Sequence, residues 1–269
     1  MRWLLFLAAV PLLLYLLALA WLWWRQERLL FQPDPWPPES PAALAEPDVR
    51  EVWVDVPGAR LHAMHLQRPE ARGLVFFLHG NGGNLASWFV NADFYRRAGF
   101  DLFMLDYRGY GRSSGSITSE AQLMDDVRAA WAAVAPQYTG RPVVVYGRSL
   151  GSSLAAHLAV EVRPALTVLV SPYRSMAALA AEQYPWVPLA LLRYPLRTEA
   201  IIHRIEGPVW LVHGESDTLI APAHSEALRQ AAGPHARLLR LRDVGHGDVQ
   251  DSAAYLQALR SELDSLQAP

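Results

Sequence analysis

Hydrophobic positions fall into two regimes along the chain. From Trp3 to Trp24 the sequence WLLFLAAVPLLLYLLALAWLWW carries no charge at any position. As a helix it would span about 33 Å at about 1.5 Å per residue, enough to cross a bilayer. Trp3 stands at one end and Trp21, Trp23 and Trp24 at the other, where interfacial aromatics collect. Beyond Arg50 the pattern changes to short apolar runs separated by amphipathic stretches. EVWVDV (Glu51 to Val56) and ARLHAMHL (Ala59 to Leu66) flank Pro57-Gly58 and predict an antiparallel hairpin. GLVFFLH, FDLFMLD, PVVVYG, ALTVLV, PVWLVHG and ARLLRL follow, mostly apolar at successive positions. Strands covered on both faces need that pattern. Between them lie helical periods such as SEAQLMDDVRAAWAAVA, Ser119 to Ala135. There Ser119 can cap, and Leu123, Val127, Ala130, Trp131 and Val134 share a face. Alternating strands and helices predict crossover units and a mainly parallel sheet, with ligands beyond the carboxyl ends of the strands.

Three segments are expected: residues 1–28 as a membrane anchor, 29–49 as a proline-rich linker and 50–269 as the folded domain. An alternative for the first is a cleaved signal peptide, with Ala18-Leu19-Ala20 as the small-x-small site. Gln32 to Asp48 holds too many prolines for a helix or a central strand and is read as a spacer holding the domain off the membrane. Arg2 before the span and Arg25 and Arg28 after it barely discriminate orientation. The placement expected is a single-pass protein of a bacterial inner membrane, its domain on the periplasmic side.

Composition removes several function classes. A net charge of −2 over 269 residues gives no basic surface for nucleic acid. The absence of cysteine excludes disulfides, cysteine-rich metal sites and cysteine nucleophiles.

The chemistry-bearing residues stand just after the predicted strands. PVVVY runs into Gly147-Arg148-Ser149-Leu150-Gly151, a G-x-S-x-G sequence between strand and helix. The serine would sit on a strained turn, and glycines would remove side chains where strand and helix approach closest. The helix start would aim N–H groups beside Ser149. A turn packed by glycines around a bystander serine is the bland alternative. GLVFFL ends in His79-Gly80-Asn81-Gly82-Gly83-Asn84, whose backbone N–H groups can face an anion. Backbone amides of Asn81 and Leu150 are the expected oxyanion donors. His79, at the strand end, is read as a buttress for that loop. PVWLVHG is followed by Asp217, with Glu215 and Asp243 as rival acids, and His246 lies between glycines after the last strand. The order Ser149, Asp217, His246 is that of an α/β serine hydrolase. His157 and His213 are read as packed or surface residues. Arg108 and Arg112 are read as salt-bridge partners that hold the loop DYRGYGRSSG.

HGNGGN, DYRGYGRSSG, GRSLGS, HGESDTLIAP and VGHGD together resemble, in that order, segments of the α/β-hydrolase superfamily. The likeness is to its membrane-anchored abhydrolase-domain branch, which includes acyl-protein thioesterases. The resemblance implies a mostly parallel sheet of about eight strands with helices on both faces. It also implies Ser149 as nucleophile, Asp217 as acid, His246 as base, oxyanion donors at Asn81 and Leu150, and neither metal nor cofactor. A short lid is expected over about 171–206, its Tyr173, Tyr184, Trp186 and Tyr194 lining an acyl groove or packing over the sheet edge. The expected activity is cleavage of a small-molecule or lipid-like ester or thioester. The same triad suits an amidase, a peptidase or an acyltransferase, and the fold also suits a non-catalytic membrane-tethered binding protein. Dehalogenases and epoxide hydrolases use aspartate at the elbow, where this chain has serine.

Overall fold

The computed structural model describes residues 2–36 and 46–266. Helix α1 runs over Arg2–Leu30, past the charged residues that close the apolar stretch. The strands are β1 (Val49–Val56), β2 (Ala59–Leu66), β3 (Gly73–Leu78), β4 (Phe100–Leu105), β5 (Val143–Arg148), β6 (Leu166–Val170), β7 (Val209–Gly214) and β8 (Ala236–Leu241). Their order in one eight-stranded sheet is β1-β2-β4-β3-β5-β6-β7-β8. β2 is antiparallel to both its neighbours, and β4 to β8 run parallel with β3.

The continuous apolar runs follow from burial on both faces. Successive strand residues point to opposite sides. Phe76 stacks on Phe103 in one core, while Phe77 stacks on Tyr146 in the other. The first core is closed by α4 (Glu120–Val134), α5 (Leu150–Val162) and α8 (Ala223–Ala232). The second is closed by α3 (Ala92–Ala98) and α9 (Ala253–Ser265). Ser119 caps α4 by accepting from the Gln122 amide, as its position ahead of the apolar period predicts.

The chain leaves β3 toward β4 on one side and returns to β5 on the other. The ends of β3 and β5 therefore flank the point where strand order reverses, which opens a crevice there. Short helices α2 (Leu85–Trp88), α6 (Met176–Gln183) and α7 (Thr198–Ile201) lie in the connections on this side.

Residues Gln32 to Trp36 do not act as a free spacer. Trp36 is buried, its amide bonds to the Gly111 carbonyl, and the Gly111 amide bonds to Asp34. Prolines cannot join a central strand, yet their neighbours can still dock on a loop, and that is what happens here. Of the expected linker 29–49, residues 37–45 lie outside the described residues. In the region expected as a lid, Tyr173 and Tyr194 are buried, whereas Tyr184 and Trp186 are exposed at 53% and 50%. The aromatics thus divide between packing and open surface.

Candidate active site

Ser149 sits between β5 and α5 with φ 49° and ψ −117°, a conformation that costs a non-glycine residue energy. The two glycines make the turn possible by proximity. A Cβ at Gly147 would lie 2.2 Å from the Gly151 carbonyl oxygen, and one at Gly151 would lie 2.1 Å from that of Leu78. The second contact also shows that the start of α5 rests on the end of β3. The Gly80-Asn81 loop is thereby held beside the first amides of α5, which lack helical partners.

His246 Nε2 is 3.1 Å from Ser149 Oγ, and His246 Nδ1 is 2.7 Å from Asp217 Oδ2. A carboxylate only accepts, so Nδ1 carries the proton and Nε2 is left to accept from the serine hydroxyl. Ser149 and His246 are both partly exposed. Asp217 is 6% exposed, and its Oδ1 accepts from the amides of Leu219 and Ile220 at 2.9 and 2.8 Å. Burial opposes its ionisation. Hydrogen bonds from His213, His246 and the Ile220 amide outweigh burial and hold the carboxyl well below the usual range.

The rivals are accounted for. Glu215 is 3.1 Å from the Arg240 guanidinium, and Asp243 occupies a positive-φ turn at 57°. His79 is fully buried, with Nδ1 donating to the Gly80 carbonyl at 2.7 Å, so it braces the loop. Arg108 makes a two-pronged buried pair with Asp126, and Arg112 pairs with Glu51. His157 Nδ1 donates to the Ser153 carbonyl one helical turn back.

His213 is the residue that sequence reasoning undervalued. It is fully buried at the end of β7. Nδ1 accepts from the Ser225 hydroxyl at 2.6 Å, and Nε2–H faces the Ile220 carbonyl at 2.9 Å and Asp217 Oδ2 at 3.2 Å. Only its spacing four residues before Asp217, across a turn, could have signalled this. Arg148 was also passed over. Its guanidinium donates to the carbonyls of His246 and Gly247 at 2.8 and 3.0 Å and so fixes the loop that carries the imidazole.

Asn81 uses its side chain for bracing: Oδ1 accepts from the Gln32 amide at 2.9 Å and the Tyr110 hydroxyl at 2.8 Å. Next to it opens a hollow of about 310 Å³ lined by Asn81, Gly82, Gly83, Ser87, Trp88, Arg148 and Gln250. Among the described residues no group of three or more histidine or acidic side chains could hold a metal ion.

The family described as serine aminopeptidase, S33, matches residues 69–198. The human α/β hydrolase domain-containing protein 17B is 31% identical over 209 residues, covering 76% of this chain and 70% of the relative. The chain belongs to the α/β-hydrolase superfamily. A Mycobacterium tuberculosis relative, an uncharacterized protein, is 33% identical to the hydrolase over 258 residues, covering 91% of this chain and 89% of its own. Among solved structures, a Pyrococcus furiosus esterase superposes with a TM-score of 0.67 at 18% identity, covering 87% of the hydrolase and 96% of the esterase, a likeness of fold. Among the described residues one helix, Ala9–Leu30 of α1, is long and apolar enough to cross a membrane, a property that signal sequences share.

Proposed function

We propose that the hydrolase cleaves carboxylic esters or thioesters through a covalent acyl-enzyme on Ser149. The observation that carries this reading is the continuous chain of contacts from Asp217 through His246 to Ser149 Oγ. His246 Nε2 takes the hydroxyl proton as Oγ bonds to the carbonyl carbon. Asp217 holds the imidazole tautomer and stabilises its charged form. The carbonyl oxygen becomes an oxyanion beside the amides of Leu150 and Asn81, and each such donor is worth about 3 kcal/mol of barrier. Collapse breaks the bond to the alcohol or thiol, which leaves with the proton from His246. Water, deprotonated by the same imidazole, then releases the acid and restores Ser149. Ser149 and one water supply the attacking electron pairs, and His246 carries each proton from nucleophile to leaving group.

The matched family's description raises a peptidase reading. An aminopeptidase must hold a cationic amine, and the hollow beside the elbow offers Arg148 and uncharged residues instead. That supports ester over amino-terminal peptide. For α1 we propose a retained membrane anchor, its aromatic end toward the folded domain.

A fluorophosphonate probe tests the nucleophile: labelling of the wild-type hydrolase, lost in Ser149→Ala, is expected. Wild-type protein that is folded and unlabelled would return the chain to the binding-protein class. A panel of acyl esters, thioesters and peptides of graded length then reads the leaving group and the chain length.

A further inference from the structure

The segment Tyr184 to Leu192, YPWVPLALL, contains no charged residue. It does not pack over the sheet. It runs alongside α1, and the contacts follow a register. The Tyr15 hydroxyl donates to the Trp186 carbonyl, and the Gln26 carboxamide donates to the Leu191 carbonyl and accepts from the Arg193 amide. Leu22 and Trp23 face Val187, Pro188 and Leu189 across a narrow apolar cleft. At the polar end of the helix Glu27 receives both Arg193 and the Tyr194 hydroxyl. Charge therefore meets charge where α1 leaves its apolar stretch, and apolar side chains meet apolar side chains further in. The stretch from Tyr15 to Glu27 covers about 18 Å of helix axis. Trp186 lies roughly 9–13 Å deeper along that axis than the tryptophans at 21, 23 and 24, which mark an interfacial belt.

We propose that Tyr184–Leu192 is inserted into the acyl region of the leaflet beside α1, a monotopic loop on a spanning helix. This rests on reading α1 as a membrane span. Two further observations fit a lipid surface as the occupant. Tyr184, Trp186 and Leu189 turn 53%, 50% and 46% of their surface outward, forming an apolar face continuous with the exposed side of α1. Part of the backbone is also prepared for a medium without water. Pro185 and Pro188 have no N–H. The amides of Val187, Leu191 and Leu192 bond within the segment, that of Tyr184 bonds to the Ala180 carbonyl of α6, and that of Arg193 goes to Gln26. Irregular backbone survives at membrane depth only when its polar groups are satisfied in this way. The residue just ahead of the segment touches the site: the Gln183 carboxamide, at the end of α6, donates to the carbonyl of Leu219, two residues past Asp217. At the other end of the rim Gln32, just beyond α1, bonds to Asn81. An acyl chain lying in the leaflet would then be presented at the Ser149 rim without leaving the bilayer.

The chain has no cysteine, so single labels can be placed cleanly. Leu189→Cys and Glu206→Cys, each in the full chain, would carry an environment-sensitive fluorophore in phosphatidylcholine vesicles. Glu206 is exposed just ahead of β7, at the opposite end of the strands. We expect nitroxide-bearing acyl chains to quench the label at 189 at least twofold more than the label at 206, and aqueous iodide to do the reverse. Trp186→Cys serves as a second site should the first variant fold poorly. Equal iodide quenching at 189 and 206 would overturn the insertion, as would protein that fails to stay on the vesicles. Hydrolysis of a water-soluble short ester by the same samples tests the serine-hydrolase reading separately, because quenching does not depend on turnover.

Discussion

His213 Nε2 lies 3.2 Å from the same Asp217 oxygen that His246 Nδ1 reaches at 2.7 Å. One carboxylate oxygen thus serves two imidazoles, one buried and one facing Ser149. His213 is expected to act as a positioning residue. His213→Asn should lower kcat by about 10- to 100-fold, the worth of a hydrogen bond to a charged acceptor, with KM nearly unchanged. A rise in KM with kcat unchanged would assign His213 to substrate binding instead.

Asp217 and Glu215 are separable by substitution. Asp217→Asn should cost about a thousandfold or more in kcat, because the amide can donate to His246 and reverse its tautomer. Glu215→Gln should stay within about twofold, since its partner is the half-exposed Arg240. Steady-state rates on one ester decide between them.

The elbow glycines should tolerate no side chain. Gly147→Ala and Gly151→Ala each place a Cβ within 2.2 Å of backbone oxygen. A destabilisation beyond about 3 kcal/mol, or no folded protein, is expected. Gly140→Ala is the control: its φ is +75° and nothing lies within 4 Å, so only backbone strain of about 1 kcal/mol applies. Thermal melts of the three variants rank them.

The carboxylate should add no acid limb to the rate. Asp217 is held ionised far into acid, so kcat/KM followed down to about pH 4 should show no step from its protonation. An acid side that needs two protonations to fit would overturn this.

His65 gives stability its own pH dependence. Burial, then the charge of Arg50, lowers its pKa from 6.5 to about 4. Nε2 donates to the Tyr138 hydroxyl at 2.7 Å, which in turn donates to Asp101. The unfolded chain therefore takes up the proton first. Stability is full above about pH 6.5, falls by up to about 3 kcal/mol toward pH 4, and then levels. Asp101, raised by burial, opposes this loss at the acid end. His65→Gln should flatten the melting temperature between those values.

Strands β3 to β7 were legible as apolar runs, because nearly every side chain of a doubly covered strand is buried, and β1 and β2 as an alternating pair around Pro57-Gly58. Ser149, Asp217 and His246 were legible because they stand where those runs stop. His213 was not: a histidine ending a buried strand reads as packing until the turn after β7 brings Asp217 back beneath it. Nor was the contact between α1 and the lid region. Gln26 and Leu191 are 165 residues apart, and no local period announces such a pairing. Trp36 was hidden among prolines, whose density argued for an unattached tether.

The docking of Phe31 to Trp36 decides where a water-soluble form of this hydrolase can begin. Phe31 is packed edge-on against Tyr194, and Gln32 clasps Asn81. A cut just before Phe31 discards the greasy helix and keeps that brace. A cut after Trp36 also strips away the strut beneath the loop that would cradle the oxyanion, so the shorter fragment should be the poorer catalyst although none of the reacting residues has been removed.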